Sequence, residues 1–228
     1  MEKLITVLLV GVIVVFSSPY SMLSLVEADK GAWIEQSLVE TTDTSYFKEF
    51  IFVEEEKMQE AQKLSLDIQQ AAMDVETNEI QLGNVIDFTQ NREDLALAGT
   101  LNLTFESEMT TDTAVHQAAT MILFHLELEP TEQNLELYEA AISEAFLNLK
   151  DQVDNHWMNI ISDPHSKNHT TYTYNMIFLV EKESVLLALP FIFTTELNAS
   201  KEQVLNLSGN ESFHFKVALK GVKMIKII

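Results

Sequence analysis

The 228-residue sequence contains no cysteine, only six glycines and only four prolines. Because cysteine is absent, no disulfide stabilises the fold and no thiol serves as a nucleophile, so stability must come from the apolar core. The glycines do not cluster, and the sequence has neither a phosphate-binding glycine loop nor a G-x-S-x-G motif. These absences disfavour an enzyme, and we predict neither a catalytic residue nor a cofactor.

Histidine is also scarce, at six residues, and its distribution does not indicate a metal site. His165 and His169 are four apart, but they lie in the loop-like stretch DPHSKNHT, where no helix aligns the two rings. A solvated loop explains this pair better. His116 and His125 are on an apolar helical stretch and are better explained as packed or surface residues. Carboxylates are too numerous for any pair to be assigned as a catalytic dyad.

Positive charge is in short supply, since 14 lysines and arginines oppose 35 aspartates and glutamates for a formal charge of -21. A chain this acidic is repelled by phosphate backbones, so nucleic acid is a poor partner. Anionic membranes would repel it as well, unless its carboxylates are protonated or the lipid is zwitterionic.

Residues 201–228 reverse this balance, with five lysines and two glutamates. Two interpretations are open. The lysines form an electrostatic contact between C-terminal strands and acidic helices, or they lie on a solvated edge strand beside an acidic surface. The second arrangement is the more common one and is favoured here.

The long unbroken hydrophobic run of the sequence is at its N-terminus. The segment from Leu4 to Phe16 follows Lys3 and is shorter than the roughly 20 residues that a membrane-spanning helix needs. This pattern is typical of a secretory signal. We predict a signal peptide over residues 1–28, ending at Val26-Glu27-Ala28 or alternatively near Ser21, and one secreted domain over residues 29–228.

Five N-x-S/T sequons accompany the signal, which favours an exported glycoprotein from a glycosylating cell. The candidate asparagines are Asn102, Asn168, Asn198, Asn206 and Asn210.

The front half of the sequence has helical periodicity. Pro130 ends one apolar helical stretch and Thr131 is a suitable N-cap for the next, so these two helices are predicted to form an antiparallel hairpin. Residues 76–94 fit either a short helix or the entry to a strand. The predicted helices cover 46–72, 113–128 and 131–161.

The back half has the features of an antiparallel sheet. Residues 99–107 alternate cleanly between apolar and polar, as expected of a strand with one wet face. Helical periodicity is lost from Thr170, and short turn-forming stretches follow at 181–184, 198–201, 209–210 and Gly221. The strands after that point are predicted at 171–181, 185–195, 202–208, 212–219 and 222–227.

The segment from Thr171 to Leu197, TYTYNMIFLVEKESVLLALPFIFTTEL, is unusual because both faces of the predicted hairpin are largely apolar. Helices covering a central sheet on both sides explain this pattern, and engagement of lipid is the alternative. Pro190 removes one backbone donor, which fits an edge strand or a bulge. The residues on one face, our candidate membrane-interacting set, are Tyr172, Tyr174, Met176, Phe178, Val180, Val185, Leu187, Leu189, Phe191 and Phe193.

Several segments resemble the cytolytic (Cyt) δ-endotoxin family in order and spacing. They are the helix AAISEAFLNLK at 140–150, Trp157, the run TYTYN at 171–175 leading into 176–180, PFIF at 190–193 and KEQVL at 201–205. The resemblance covers roughly residues 140–215, about a third of the chain.

The resemblance implies an α+β fold in a single domain, with a central antiparallel β-sheet between two α-helical hairpins. It further implies a protoxin that loses terminal segments, binds zwitterionic phospholipid, forms a homo-oligomer on the membrane and permeabilises it by pores or by detergent-like action. It implies no catalytic residue and no cofactor.

The sequence departs from the family in its apparent signal peptide, its sequons and its strong acidity, including Glu127 and Glu129 at the predicted helical bend. A secreted non-lytic protein on the same scaffold, which binds lipid or glycan or has a structural role, is therefore the alternative function.

Overall fold

The computed structural model describes residues 23–26, 33–36, 45–74, 79–162 and 168–227. Residues 1–22, which are most of the predicted signal peptide, and most of the DPHSKNHT loop lie outside these residues. The strands are β1 Leu23–Val26, β2 Trp33–Gln36, β3 Lys48–Val53, β4 Met73–Asp74, β5 Glu79–Ile80, β6 Leu95–Thr110, β7 Met158–Ser162, β8 Thr170–Lys182, β9 Val185–Leu197 and β10 Ser212–Ile227. The helices are α1 Met58–Ala72, α2 Leu82–Gln90, α3 Thr111–His125, α4 Glu132–Ser143 and α5 Lys201–Leu205.

One large sheet organises the described residues, with eight strands in the order β1-β2-β3-β8-β9-β10-β6 and β7 also paired to β8. β4 and β5 form a separate two-stranded ribbon. Among the described pairs only β3 and β8 run parallel, so the expected antiparallel sheet is in fact mixed. Parallel pairing of strands so far apart in sequence is invisible to local patterns, because it depends on a long crossover.

Two helical layers cover the sheet on opposite faces. α3 and α4 pack on one face, hereafter the α3–α4 face, together with side chains of β3, β8, β9, β10 and β6. α1 and α2 pack on the other, the α1–α2 face. The three-layer α+β architecture implied by the resemblance is confirmed in this respect.

The helix starts follow from their capping residues. The Thr110 hydroxyl accepts a hydrogen bond from the Thr113 amide at 3.2 Å. Thr131, predicted as the N-cap of the third helix, accepts one from the Asn134 amide at 3.2 Å. Between α3 and α4 the chain turns sharply at Glu127, whose φ of 58° is in the left-handed region.

The first predicted helix is wrong over 46–54, whereas Glu55–Lys57 form a 3₁₀ turn that leads into α1. Residues 48–53 form β3, which lies parallel beside β8 with Phe50 opposite Phe178. Phe50 and Phe52 pack on the α3–α4 face, whereas Ile51 and Val53 pack on the α1–α2 face. A run that is apolar at nearly every position satisfies a two-residue period as well as a helical one, so periodicity cannot decide between them.

Three other boundaries differ from the prediction. α4 ends at Ser143, and residues 158–162 form β7 rather than the end of a helix. Residues 201–205 are α5, not a strand, and Ser200 and Gln203 form a capping box at its start. Residues 212–227 are one continuous strand that passes through Gly221 without a turn.

Candidate functional site

The predicted hairpin is the centre of the sheet. β8 and β9 pair in register from Thr170 with Leu197 to Lys182 with Val185, and a two-residue turn at 183–184 connects them. Glu183 adopts φ 58°, the left-handed conformation that such tight hairpin turns require. Each strand has 13 residues, slightly more than the 11 predicted.

All ten candidate membrane-interacting residues lie on the α3–α4 face. Nine are fully buried there, and Val185, next to the turn, is partly buried against the same cluster. The alternation predicted from the sequence is therefore correct for this face. In the folded protein the nine buried residues become available to a lipid only if α3 and α4 move.

Aromatic rings hold the α3–α4 layer on the hairpin. The ring of Phe178 is stacked on Phe191 with centroids 5.4 Å apart, and Tyr138 of α4 packs on Phe178 at 5.1 Å. Phe146, just after α4, meets Phe193 edge to face at 5.7 Å. Contacts of this kind contribute roughly 0.5–1.5 kcal/mol each beyond area burial.

Two buried tyrosines add polar ties to the same layer. The Tyr172 hydroxyl donates to the Ala145 carbonyl at 2.9 Å, and the Tyr174 hydroxyl donates to the side chain of Gln152. Burial raises the pKa of both phenols, so they remain neutral donors throughout the physiological range. Lifting the layer away from the sheet breaks both hydrogen bonds.

The α1–α2 face of the hairpin changes character along its length. Near the turn, Ile177, Leu179, Leu186 and Ala188 are buried beneath α1 and α2. Toward the open end of the hairpin the same face carries Thr171, Thr173, Asn175, Thr194 and Glu196, which are all partly exposed. The apolar surface is thus continuous on one face of the hairpin and only half-length on the other.

Pro190 lies in a central strand, not at an edge. β8 pairs through it, with Ile177 opposite, but the ladder from β9 to β10 is interrupted opposite Pro190 and Leu189 without a change of register. Gly221 sits against this gap, where a Cβ would approach the Phe191 Cβ to 2.7 Å and the Pro190 carbonyl oxygen to 2.8 Å. The sheet accommodates Pro190 because β9 and β10 do not pair at this position and because Gly221 of β10 has no side chain to clash with it.

A buried lysine ties the bend between α3 and α4 to the sheet. The Lys223 ammonium is 2.6 Å from a Glu127 carboxylate oxygen and donates to the His125 carbonyl at 3.0 Å, while its side chain is 6% exposed. Lys182, at the hairpin turn, donates to the Glu127 carbonyl at 2.9 Å. Lys223 lowers the pKa of Glu127 by hydrogen bonding and by charge.

Lys226 makes the corresponding contact on the opposite face. Its ammonium is 2.7 Å from Glu60 of α1 and 3.7 Å from Asp94. Two C-terminal lysines therefore pair with acidic groups of the two helical layers. The electrostatic interpretation of these lysines is correct for Lys223 and Lys226, and the solvated-edge interpretation that we favoured is wrong for them, because β10 is an interior strand of the sheet.

The five sequon asparagines are all exposed: Asn102 on β6, Asn168 before β8, Asn198 after β9, and Asn206 and Asn210 between α5 and β10. Their glycosylation stays a prediction.

His116 and His214 are paired with surface carboxylates, at 2.5 Å from Glu139 and 2.9 Å from Glu106. In the part of the chain that the structure describes, no group of three or more histidine, aspartate or glutamate side chains is arranged to hold a metal.

Comparison with known proteins decides the family. The model of the family described as Bacillus thuringiensis toxin matches residues 28–228. The chain belongs to this toxin family. Among relatives, the type-2Bb cytolytic delta-endotoxin of Bacillus thuringiensis subsp. jegathesan is 25% identical over 195 residues, which are 83% of this chain and 73% of the relative. The type-2Ba cytolytic delta-endotoxin of subsp. israelensis is 23% identical over the same shares.

Solved structures of the toxin family have the same fold. The activated Cyt2Ba monomer from Bacillus thuringiensis subsp. israelensis superposes with a TM-score of 0.71 at 21% identity, over 80% of this chain and 98% of that one. A second δ-endotoxin gives 0.76 at 20% identity, over 89% of this chain and 91% of that one. The predicted resemblance to the cytolytic δ-endotoxins is confirmed. The protein is a toxin of the cytolytic class and not an enzyme.

Among the described residues, no helix is both long enough and apolar enough to cross a membrane. The hairpin, with its continuous apolar face, is the candidate functional site.

Proposed function

We propose that the protein is a secreted cytolysin that binds zwitterionic phospholipid and permeabilises the bilayer as a homo-oligomer, after export through residues 1–28 and trimming of its ends. The observation that carries this proposal is the continuous apolar α3–α4 face of β8 and β9. Each strand has 13 residues, and a tilted strand needs about 9–11 residues to cross the hydrocarbon core.

The energetics of this face support exchange of helices for lipid. Burial of apolar area contributes about 25 cal/mol per Å², whether the covering atoms belong to α3 and α4 or to acyl chains. Lipid can therefore replace the helical layer at little net hydrophobic cost. The ten residues that we assign to lipid contact are those of the candidate set, from Tyr172 to Val180 and from Val185 to Phe193.

Backbone hydrogen bonding requires the oligomer. Within the described residues β6 is at one edge of the sheet. An edge strand placed in hydrocarbon has unpaired backbone N–H and C=O groups, and each of them costs several kcal/mol. Pairing with a further copy of the chain removes this cost. The net charge of -21 favours zwitterionic over anionic lipid.

Release of a trapped dye from phosphatidylcholine vesicles tests this function. We expect release by the folded, terminally trimmed protein, and weaker release when the vesicles contain phosphatidylglycerol, because the acidic protein is repelled. Absence of release across pH 5–8 from protein shown to be folded would refute the proposal. Binding to the vesicles without release would instead support the non-lytic lipid-binding alternative.

A further inference from the structure

The open end of the α1–α2 face carries a mostly polar surface, interrupted by Ile192 and Ala218, that the lipid-facing set does not include. Register across β8, β9, β10 and β6 aligns its residues in three transverse rows, hereafter the polar rows. The rows are Thr171, Glu196, Lys216 and Glu106; then Thr173, Thr194, Ala218 and Thr104; then Asn175, Ile192, Lys220 and Asn102. None of the twelve is buried, although all belong to the four longest strands of the sheet.

The opposite face of the same strand segments is apolar. Tyr172, Tyr174, Phe193, Val217 and Leu219 alternate with the polar rows and are buried on the α3–α4 face. This part of the sheet is therefore amphipathic in the folded protein: one side is covered by helices and the other side is wet. Since side chains of a strand alternate strictly, insertion of the apolar side into lipid directs the polar rows to the other side.

We propose that the polar rows face water in the inserted state and line an ion-conducting passage, whose charges select among ions. This inference rests on the proposed membrane permeabilisation and specifies which side of the sheet conducts. It requires that α3 and α4 leave the sheet. It does not require departure of α1 and α2, which cover the half nearest the turn.

The charges within the rows differ in how well they are balanced. Lys216 lies 2.9 Å from Glu196 and opposite Glu106 in the register of β10 and β6, so its positive charge has two acidic neighbours. Lys220, in the third row, is exposed and its register partners Ile192 and Asn102 are uncharged. Rings of charged side chains are a general means of ion selection in channels, so Lys220 is the residue whose charge we expect an ion to meet most directly.

Reversal potentials in planar phosphatidylcholine bilayers under a KCl gradient test this role. We expect K220E to raise the cation-to-anion permeability ratio by about threefold or more, because each subunit then contributes a negative instead of a positive charge. K201E makes the same change of net charge on exposed Lys201 of α5, away from the rows, and we expect it to leave the ratio unchanged. Thermal unfolding checks the fold of both variants, and K220Q replaces K220E if needed, with a smaller shift in the same direction.

Because the chain contains no cysteine, a single introduced cysteine can be labelled selectively, which allows a second test. The cysteine substitution itself does not change the net charge. T173C in open channels is expected to react with a water-soluble, positively charged thiol reagent and to lower the cation conductance. M176C, on the apolar side of β8, is the matched control and is expected to be unreactive from water.

The outcomes separate this inference from the proposed function. Vesicle leakage without discrete channels, or with channels that K220E leaves unchanged, overturns the water-facing assignment while permeabilisation stands. Reaction of M176C but not T173C shows that the two faces are reversed. Absence of leakage from folded, trimmed wild-type protein removes both proposals together.

Discussion

At the scale of single residues, Glu49 is a buried carboxyl beneath α1. It is 8% exposed and accepts a hydrogen bond from Gln69, whose own carbonyl oxygen accepts from the Tyr46 amide at 3.1 Å. Burial raises the pKa of Glu49 above 4.5, and the hydrogen bond from Gln69 offsets only part of this effect. The folded protein therefore holds this proton more tightly than the unfolded chain does.

The E49Q variant is expected to be more stable than wild type at neutral pH. Ionisation of Glu49 lowers the free energy of unfolding as pH rises from about 4.5 through its raised pKa, and the loss persists at higher pH. A neutral amide avoids a cost of about 1–3 kcal/mol, the range for poorly compensated buried polar groups. Urea unfolding at pH 4 and pH 8 measures the difference, which should be present only at pH 8. E56Q, a matched change at an exposed position, should show no such gain.

Two glycines are expected to respond to alanine with opposite signs. G221A places a methyl group 2.7 Å from the Phe191 Cβ, in a strand that cannot move away, and should lower the free energy of unfolding by about 1–3 kcal/mol. G83A lies in α2 with no atom within 4 Å of its new Cβ and should raise it by about 0.5–1 kcal/mol through helix propensity. Denaturant unfolding of both variants is the check, and a stabilising G221A would contradict the close approach.

At the scale of elements, the ion pair between Glu127 and Lys223 determines how the α3–α4 bend is held. Lys223 is almost fully buried, so loss of its carboxylate partner leaves an uncompensated charge in the sheet. Glu127 also accepts from Lys182 through its backbone, which brings the hairpin turn to the same point. The bend, β10 and the turn are thus joined at one place.

The E127Q variant is expected to loosen α3 and α4 selectively. Hydrogen–deuterium exchange over 111–143 should be several-fold faster than in wild type at pH 7, while exchange in α1 is little changed. The Glu127 pKa is lowered, so its contribution is present above about pH 4.5 and is lost as pH falls through the lowered value. Wild type and variant should therefore converge only below pH 4.5. E132Q, at the exposed start of α4, is the control, and equal exchange in all three proteins would disprove the role of the pair.

At the scale of the whole molecule, the two helical layers hold the sheet unequally. The α3–α4 layer covers the full apolar length of the hairpin and is fastened by aromatic contacts, two tyrosine hydroxyls and the bend ion pair. The α1–α2 layer covers only the half near the turn. Lipid contact by the candidate set therefore depends on movement of the α3–α4 layer.

A cleavable tether between this layer and the hairpin is expected to block permeabilisation. Lys182 and Glu127 are in contact, so a K182C/E127C variant joined by a short reducible bis-thiol linker fixes the bend to β8. Dye release should fall by about tenfold or more, equivalent to about 1.4 kcal/mol of added barrier, and should recover after reduction.

H116C/E139C is the matched control for that tether. His116 and Glu139 pair across α3 and α4, so the same linker joins the two helices to each other and leaves the layer free to lift. Dye release by this variant should equal that of its reduced form. Undiminished release by the linked K182C/E127C variant would show that the α3–α4 layer stays in place during permeabilisation.

Local patterns predicted the hairpin and the α3–α4 pair because each contains its own information. The apolar alternation of β8 and β9 is visible within each strand. Pro130 and the N-cap Thr131 likewise mark the break between α3 and α4 within a few residues. The residues of the capping box, Ser200 and Gln203, are also visible in the sequence. They indicate the start of α5 in a segment for which we predicted a strand. The strand at 48–53 was not readable, since its parallel partner in β8 is more than 100 residues away.

Sequence by itself determined that this protein has an apolar hairpin between helical segments, no cysteine chemistry and a strongly acidic surface, because these follow from composition and short-range periodicity. Tertiary structure decided which face of the hairpin is covered along its whole length, where Lys223 and Lys226 find their partners, and why Gly221 lies within a strand. Those features depend on contacts between residues distant in sequence. Burial and charge pairing act through space, so only the folded chain specifies them.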